Sequence, residues 1–214
     1  MKLRKRCFLL CLSVVETMIV VVVSGERAQA ASESAIPAQK FAESNTRTAF
    51  HIKDDSFLIA YQDVVKILSE QNGCSDFFGG PEVLEVFHDL ASQMTETYSN
   101  EPAAIRMHGR QTNVQRAGSS LRYRLFEKAE INGRGSFFRY GLFGEQPKTP
   151  TIGRFAPNTR EARVLMLLHE LGHLIEVATG RWLLPDDGND PKQSEENTWT
   201  VMKHCEPAIR SLRA

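Results

Sequence analysis

Two histidines and a glutamate lie within five consecutive positions of this 214-residue chain, at His169, Glu170 and His173. On an α-helix, residues four positions apart share a face, so both imidazoles can point at one metal ion. Glu170 lies about 100° further round the helix axis than His169, where its carboxylate can reach a water molecule on that ion without binding the ion itself. These residue types at this spacing predict a metal centre with a general base beside it.

The neighbouring residues predict the helix that this chemistry needs. Residues 160–168 are good helix formers and include neither glycine nor proline. Asn158 or Thr159 can cap the start of the helix, and Gly180 suits the left-handed position after its last turn. The motif is therefore predicted to lie in the middle of a helix of roughly 20 residues. The alternative interpretation is a buried helix with two core histidines and no metal.

A catalytic zinc ion needs a third protein ligand, and the sequence offers carboxylates after the motif. A third histidine six positions after His173 is absent, because Thr179 stands there. Asp187, in a loop rich in Asp, Gly, Asn and Pro, is the preferred third ligand, and Glu196 on the predicted last helix is the alternative. The remaining candidates are Asp186, Asp190 and Glu195.

Four other residues could assist such a centre. Glu176 lies seven positions after His169 on the same predicted face and suits a hydrogen bond to a ligand. Tyr123, Tyr140 or His204 could donate a hydrogen bond to a developing oxyanion, although such residues are more often structural.

Ahead of the motif, apolar residues recur at helical spacing in two segments, from Ser56 to Leu68 and from Pro81 to Tyr98. Asn72-Gly73 is predicted to end the first helix, and residues 75–80 to form a turn. Residues 31–55 show no sustained periodicity and are interpreted as a linker or irregular arm.

A small antiparallel sheet is predicted between these helices and the motif. Residues 121–131 alternate apolar and charged side chains, Asn132-Gly133 suits a hairpin turn, and residues 136–142 are predicted to return as a strand. Residues 149–155 could add a short edge strand. With a last helix capped by Ser194, the predicted fold class is α+β: N-terminal helices, a sheet, the motif helix and a C-terminal helix.

Residues 1–30 have the pattern of an export signal. Four basic residues precede an apolar stretch from Cys7 to Val23, and Ala28-Gln29-Ala30 is a small-x-small cleavage site. Cleavage after Ala30 is predicted, which leaves a single domain over residues 56–214 in a secreted or periplasmic protein. If the segment stayed uncleaved, it would instead anchor the protein in a membrane.

Without residues 1–30 the chain keeps two cysteines and a slight acidic excess. Two cysteines in an exported protein predict one disulfide, Cys74–Cys205, although Cys205 beside His204 could also serve a metal site. The 21 basic and 24 acidic residues that remain lack the basic surplus of a nucleic-acid-binding protein. Five arginines are predicted to form a solvated face: Arg106, Arg110, Arg116, Arg122 and Arg124.

At His169, Glu170 and His173 the chain resembles the zincin metallopeptidases. The resemblance covers the motif helix and, loosely, the sheet before it. It implies a zincin-like fold, Zn²⁺ as the cofactor, a peptide or protein substrate, and Glu170 as the general base that activates a water molecule. Residues 158–205 also resemble uncharacterised exported bacterial proteins that share the motif helix, an Asp-Gly loop and an Asn-Thr helix, a likeness that implies no activity.

The sequence thus predicts an exported zinc-dependent hydrolase, most simply a metallopeptidase. Two alternatives remain open at this point. One is a non-catalytic metal-binding or interaction module of the cell envelope, and the other is a disulfide-stabilised envelope protein without a metal.

Overall fold

Five helices and a four-stranded sheet form the part of the chain that the computed structural model describes, residues 50–101, 103–115, 118–139, 151–188 and 190–213. In chain order the elements are α1 (Asp55–Ser69), α2 (Gly73–Phe78), α3 (Val83–Gln93), β1 (Met94–Thr97), β2 (Ile105–Gln115), β3 (Arg122–Asn132), α4 (Arg160–Leu174), β4 (Ile175–Glu176) and α5 (Pro191–Ser211). The predicted α+β class is confirmed.

The sheet is mixed, and β3 lies at its centre. β2 pairs with one side of β3 in antiparallel orientation. On the other side, β1 pairs in parallel with the end of β3, and β4 pairs in antiparallel orientation with its start. Because β4 follows α4 directly, the sheet is joined to the end of the helix that carries the two histidines.

The strand prediction is right for β3 and wrong for its partner. The antiparallel neighbour of β3 is β2, which precedes it, whereas described residues 133–139 form turns after Asn132. The sequence of β2 hides its strand character because Gly109, at φ 89°, lies in a bulge between His108 and Gln111 that interrupts the alternation. Residues 140–142 of the predicted returning strand and 149–150 of the predicted edge strand lie outside the described residues. The edge-strand prediction is wrong for the described residues 151–155, which form only an isolated bridge between Ile152 and Phe155.

Both N-terminal helices form, with different ends from those predicted. α1 begins at Asp55, where the Asp54 side chain caps the backbone N–H of Ser56. The turn prediction for residues 75–80 is wrong at its start, because residues 75–78 belong to the short helix α2, which has a capping box formed by Asn72 and Ser75. α3 ends at Gln93 rather than near Tyr98, because the next four residues pair with β3 as β1.

The motif helix α4 lies at the centre of the packing, with α1 and α5 against it. Of its residues 161–174, Arg163 and Glu170 alone are not buried. Two residues of the segment interpreted as an irregular arm, Phe50 and Ile52, are also buried, so the core extends ahead of α1.

The predicted disulfide Cys74–Cys205 is present and joins α2 to α5. Among the residues that the structure describes, no helix is both long enough and apolar enough to cross a membrane. The predicted export signal, residues 1–30, lies outside the described part of the chain.

Candidate metal centre

The motif helix starts where the sequence predicts and ends earlier. Thr159 is its N-cap, with the side chain accepting from the backbone N–H of Ala162. The helix ends at Leu174 instead of continuing to Gly180, because Ile175 and Glu176 pair with β3. The two histidines consequently lie in the last two turns of α4 rather than in its middle.

Three electron-rich atoms converge at this end of α4: Nε2 of His169, Nε2 of His173 and Oδ2 of Asp187. The two nitrogens are 3.0 Å apart. Oδ2 of Asp187 lies 3.0 Å from Nε2 of His169 and 3.5 Å from Nε2 of His173. Ligands at about 2.0–2.1 Å from a tetrahedral zinc ion lie roughly 3.3–3.4 Å from one another, so the spacing of these atoms fits one ion.

The structure brings Asp187, and not Glu196, to the histidines. Glu196 lies on the exposed side of α5, with a carboxylate oxygen 3.8 Å from Nζ of Lys192. The other candidate carboxylates also have partners elsewhere: Asp186 pairs with Arg124, Asp190 caps the start of α5, and Glu195 accepts from Trp199. The predicted helix start at Ser194 is therefore wrong, since Asp190 caps α5 one turn earlier.

Thr198 on α5 holds His169, a role that the sequence did not reveal. Its hydroxyl donates to the backbone carbonyl of Ser194 at 2.9 Å, and the same oxygen lies 3.0 Å from Nδ1 of His169. Because the hydroxyl hydrogen is already used, we assign Nδ1–H of His169 as the donor to Thr198. The lone pair on Nε2 is then directed at the cluster, as a metal-binding imidazole requires.

Within the cluster, the neighbouring charges favour an ionised Asp187 next to a protonated His173. Burial alone would lower the pKa of His173, but its hydrogen bond to Asp187 and the charges of Glu170 and Asp187 outweigh burial and raise that pKa. Burial also opposes ionisation of Asp187, yet its contacts with the two imidazoles hold the pKa of Asp187 far below its usual value. An ionised carboxylate and two buried imidazoles form a donor set suited to a divalent cation.

Glu170 lies on α4 between the two histidines in sequence, and its side chain is partly buried. Burial raises the pKa of the Glu170 carboxyl, while the charges of His169 and His173 act in the opposite direction. A carboxyl group with a raised pKa is better matched to proton transfer near neutral pH than an ordinary surface glutamate.

The loop that carries Asp187 is fastened to both helices of the site. The backbone N–H of Leu184 donates to the carbonyl of Gly172 on α4 at 3.1 Å. The side chain of Asn197 on α5, which is 2 % exposed, donates to the carbonyl of Pro185 at 2.9 Å. Leu184 and Pro185 are three and two positions before Asp187, so these hydrogen bonds hold the part of the loop that leads into the candidate ligand.

Several assisting residues have structural partners instead. Glu176 lies on β4, 3.2 Å from the guanidinium of Arg122. The Tyr123 hydroxyl donates to the carboxylate of Asp89, and His204 stacks on Phe77 with ring centroids 4.3 Å apart. Tyr140 lies outside the described residues.

The predicted solvated arginine face is wrong for one member. Arg124 is 1 % exposed, whereas Arg106, Arg110 and Arg122 are exposed, and Arg116 lies outside the described residues. The alternation of apolar and charged residues along a strand does not show which charged side chain points into the protein when the inner face of the sheet borders a polar site.

Comparison with models of protein families, with curated proteins and with solved structures gave no significant match to this chain. The chemistry of the cluster is therefore what indicates a function.

Proposed function

We propose that this protein is an exported zinc-dependent hydrolase, most simply a metallopeptidase with a zincin-like centre. The observation that carries the proposal is the convergence of His169, His173 and Asp187, with separations of 3.0–3.5 Å between their ligand atoms. Two imidazoles and one carboxylate form a frequent ligand set of catalytic zinc, with a fourth position left for water.

The residues divide into ligands and a proton carrier. Zinc held by His169, His173 and Asp187 would lower the pKa of a water molecule towards about 7 and polarise the carbonyl of the substrate. Glu170 accepts the proton of the attacking water and passes it to the leaving amine. The raised pKa of Glu170 suits this role, because the carboxyl group must be ionised in the first step and protonated in the second.

The disulfide supports the export part of the proposal. Disulfides persist in oxidising compartments and are rare in the cytosol, and Cys74–Cys205 is fully buried. We therefore expect a peptide or protein substrate that the enzyme meets in the periplasm or outside the cell.

The test combines metal analysis with a digest of a peptide library. Purified protein should contain about one zinc per chain, which a chelator removes together with hydrolysis. Glu170→Gln should retain zinc and lose turnover, whereas His173→Ala should lose the metal. Glu196→Gln is the matched control, since this carboxylate is exposed and away from the histidines, and it should change neither property. Normal cleavage by Glu170→Gln, or iron in place of zinc, would contradict the proposal.

A second candidate is a non-catalytic metal-binding module. It is favoured by the low exposure of the ligands, since the side chains of His169 and His173 are 8 % and 5 % exposed and that of Asp187 is 20 % exposed. Zinc that binds tightly to a protein that cleaves no member of the library would support this candidate.

A further inference from the structure

Arg124 is a buried cation that connects the sheet to the candidate metal centre. Its side chain on β3 is 2 % exposed, and its guanidinium lies over the ring of Trp182, 4.1 Å from the nearest ring centroid. A buried guanidinium needs acceptors for its N–H groups, because an unpaired charge in the interior is strongly destabilising. The groups that accept hydrogen bonds from Arg124 therefore show which parts of the structure it holds in place.

Two of those acceptors adjoin metal ligands. Nε of Arg124 donates to the backbone carbonyl of His173 at 2.8 Å. Both Nη atoms donate to the carboxylate of Asp186, the residue before Asp187, and Nη1 also donates to Gln111 on β2. One planar group thus holds the end of α4 and the loop of Asp187 against the same strand.

We propose that Arg124 is the positioning residue of the metal centre, which keeps Asp187 within ligand distance of the histidines by holding Asp186. The inference rests on the zinc binding of the proposed function. The Asp186 side chain is 59 % exposed, so packing holds it little, and its ion pair with Arg124 adds to the hydrogen bonds that Leu184 and Pro185 make to the two helices. Lysine could not substitute, because one ammonium group cannot donate in a plane to the His173 carbonyl and to both carboxylate oxygens.

The experiment measures the zinc affinity of the purified protein and the visible spectrum of its Co²⁺ form, which reports the number and arrangement of ligands. Arg124→Gln should bind zinc about 10–100-fold more weakly, as loss of a residue that orients a ligand does, and should alter the Co²⁺ bands. Arg122→Gln is the matched control, since Arg122 lies on the same strand with its side chain 57 % exposed and pairs with Glu176. It should stay within roughly threefold of the parent affinity.

Affinity and spectrum unchanged by Arg124→Gln would overturn the inference. Should this variant fail to fold, Asp186→Ala provides the same test from the exposed end of the ion pair. It should weaken zinc binding and alter the Co²⁺ spectrum, and a parent-like result would again overturn the proposal.

A double-mutant cycle tests the route through Asp187. In an Asp187→Ala background, Arg124→Gln should weaken zinc binding by less than about threefold, because the ligand that it positions is already gone. Fully additive losses would contradict this route. A parent protein that binds no metal would remove both proposals, whereas zinc binding that needs His169 but not Arg124 would remove this inference alone.

Discussion

The hydroxyl oxygen of Thr198 lies 3.0 Å from Nδ1 of His169, a contact that joins α5 to the motif helix at a metal-ligand candidate. The same hydroxyl donates to the carbonyl of Ser194, so its hydrogen is not available to His169. The contact therefore selects one tautomer of His169, with Nδ1 protonated and Nε2 free for a metal.

Thr198→Val removes this acceptor and keeps the shape of the side chain. We expect zinc affinity to fall about 10–100-fold, because the ring of His169 loses the partner that fixes its tautomer and orientation. Thr198→Ser should retain the affinity. Thr200→Val is the control, since Thr200 makes the same kind of bond to a carbonyl four residues earlier but is exposed. Equal affinities of the Thr198→Val and Thr200→Val proteins, measured by competition with a chelator, would rule out this role.

Zinc affinity should depend on pH through His173. A protonated imidazole cannot bind a metal, and the contact with Asp187 raises the pKa of His173, so protons compete with zinc to a higher pH than the usual value of about 6.5 suggests. We expect affinity to rise with pH through and above that value and then level off. Titration calorimetry between about pH 5.5 and 8.5 measures this. Asp187→Asn should bind more weakly overall, with its rise displaced to lower pH, and a flat profile for the parent protein would refute the coupling.

The middle of the motif has no room for a larger residue at Gly172. A Cβ atom there would lie 2.5 Å from Cδ1 and 2.6 Å from Cγ of Leu184, which is 1 % exposed. We expect Gly172→Ala to lower the free energy of unfolding by about 1–3 kcal/mol, because overpacking outweighs the better helix propensity of alanine. Denaturant unfolding measures the change.

Two further variants separate overpacking from other effects at Gly172. Gly73→Ala is the control, as its nearest new contact would be an ordinary 3.5 Å. Leu184→Ala should itself be destabilising, and in that background the effect of Gly172→Ala should largely vanish because the clash is gone. Additive losses would mean that the clash with Leu184 is not the cause.

The local part of the site could be predicted from sequence. The spacing of His169 and His173 follows from helix periodicity alone, and Thr159 is a standard N-cap. The end of the helix could not be predicted, because Ile175 and Glu176 leave it to pair with a strand about 50 residues earlier in the chain. β-branched Ile175 is compatible with either state, so tertiary pairing decides.

The remaining site residues depend on contacts between distant segments. The sequence favours Asp187 over Glu196 as the third ligand but cannot decide between them. The position of Asp187 is set by the attachments of its loop to α4, α5 and Arg124, which the sequence does not show. Thr198 gave no sequence signal, since its role arises from the packing of α5 on α4. The sheet was mispredicted for a related reason: the bulge at Gly109 breaks the alternation of β2 that would identify it.

The Cys74–Cys205 disulfide should contribute several kcal/mol to the stability of the metal-free protein. It connects residues 131 positions apart, and in the chain-entropy model closing a loop of that length lowers the entropy of the unfolded chain by the equivalent of about 5 kcal/mol. We expect Cys74→Ala/Cys205→Ala to lower the free energy of unfolding by about 3–5 kcal/mol, because measured effects often fall below the model value.

Denaturant unfolding with and without a reductant provides the measurement and its control. Reductant should destabilise the parent protein by a similar amount and leave the double variant unaffected, since that variant has no disulfide within the described domain. A free energy of unfolding that the two substitutions leave within about 1 kcal/mol of the parent value would show that the unfolded chain is already compact, and that the entropic argument fails for this fold.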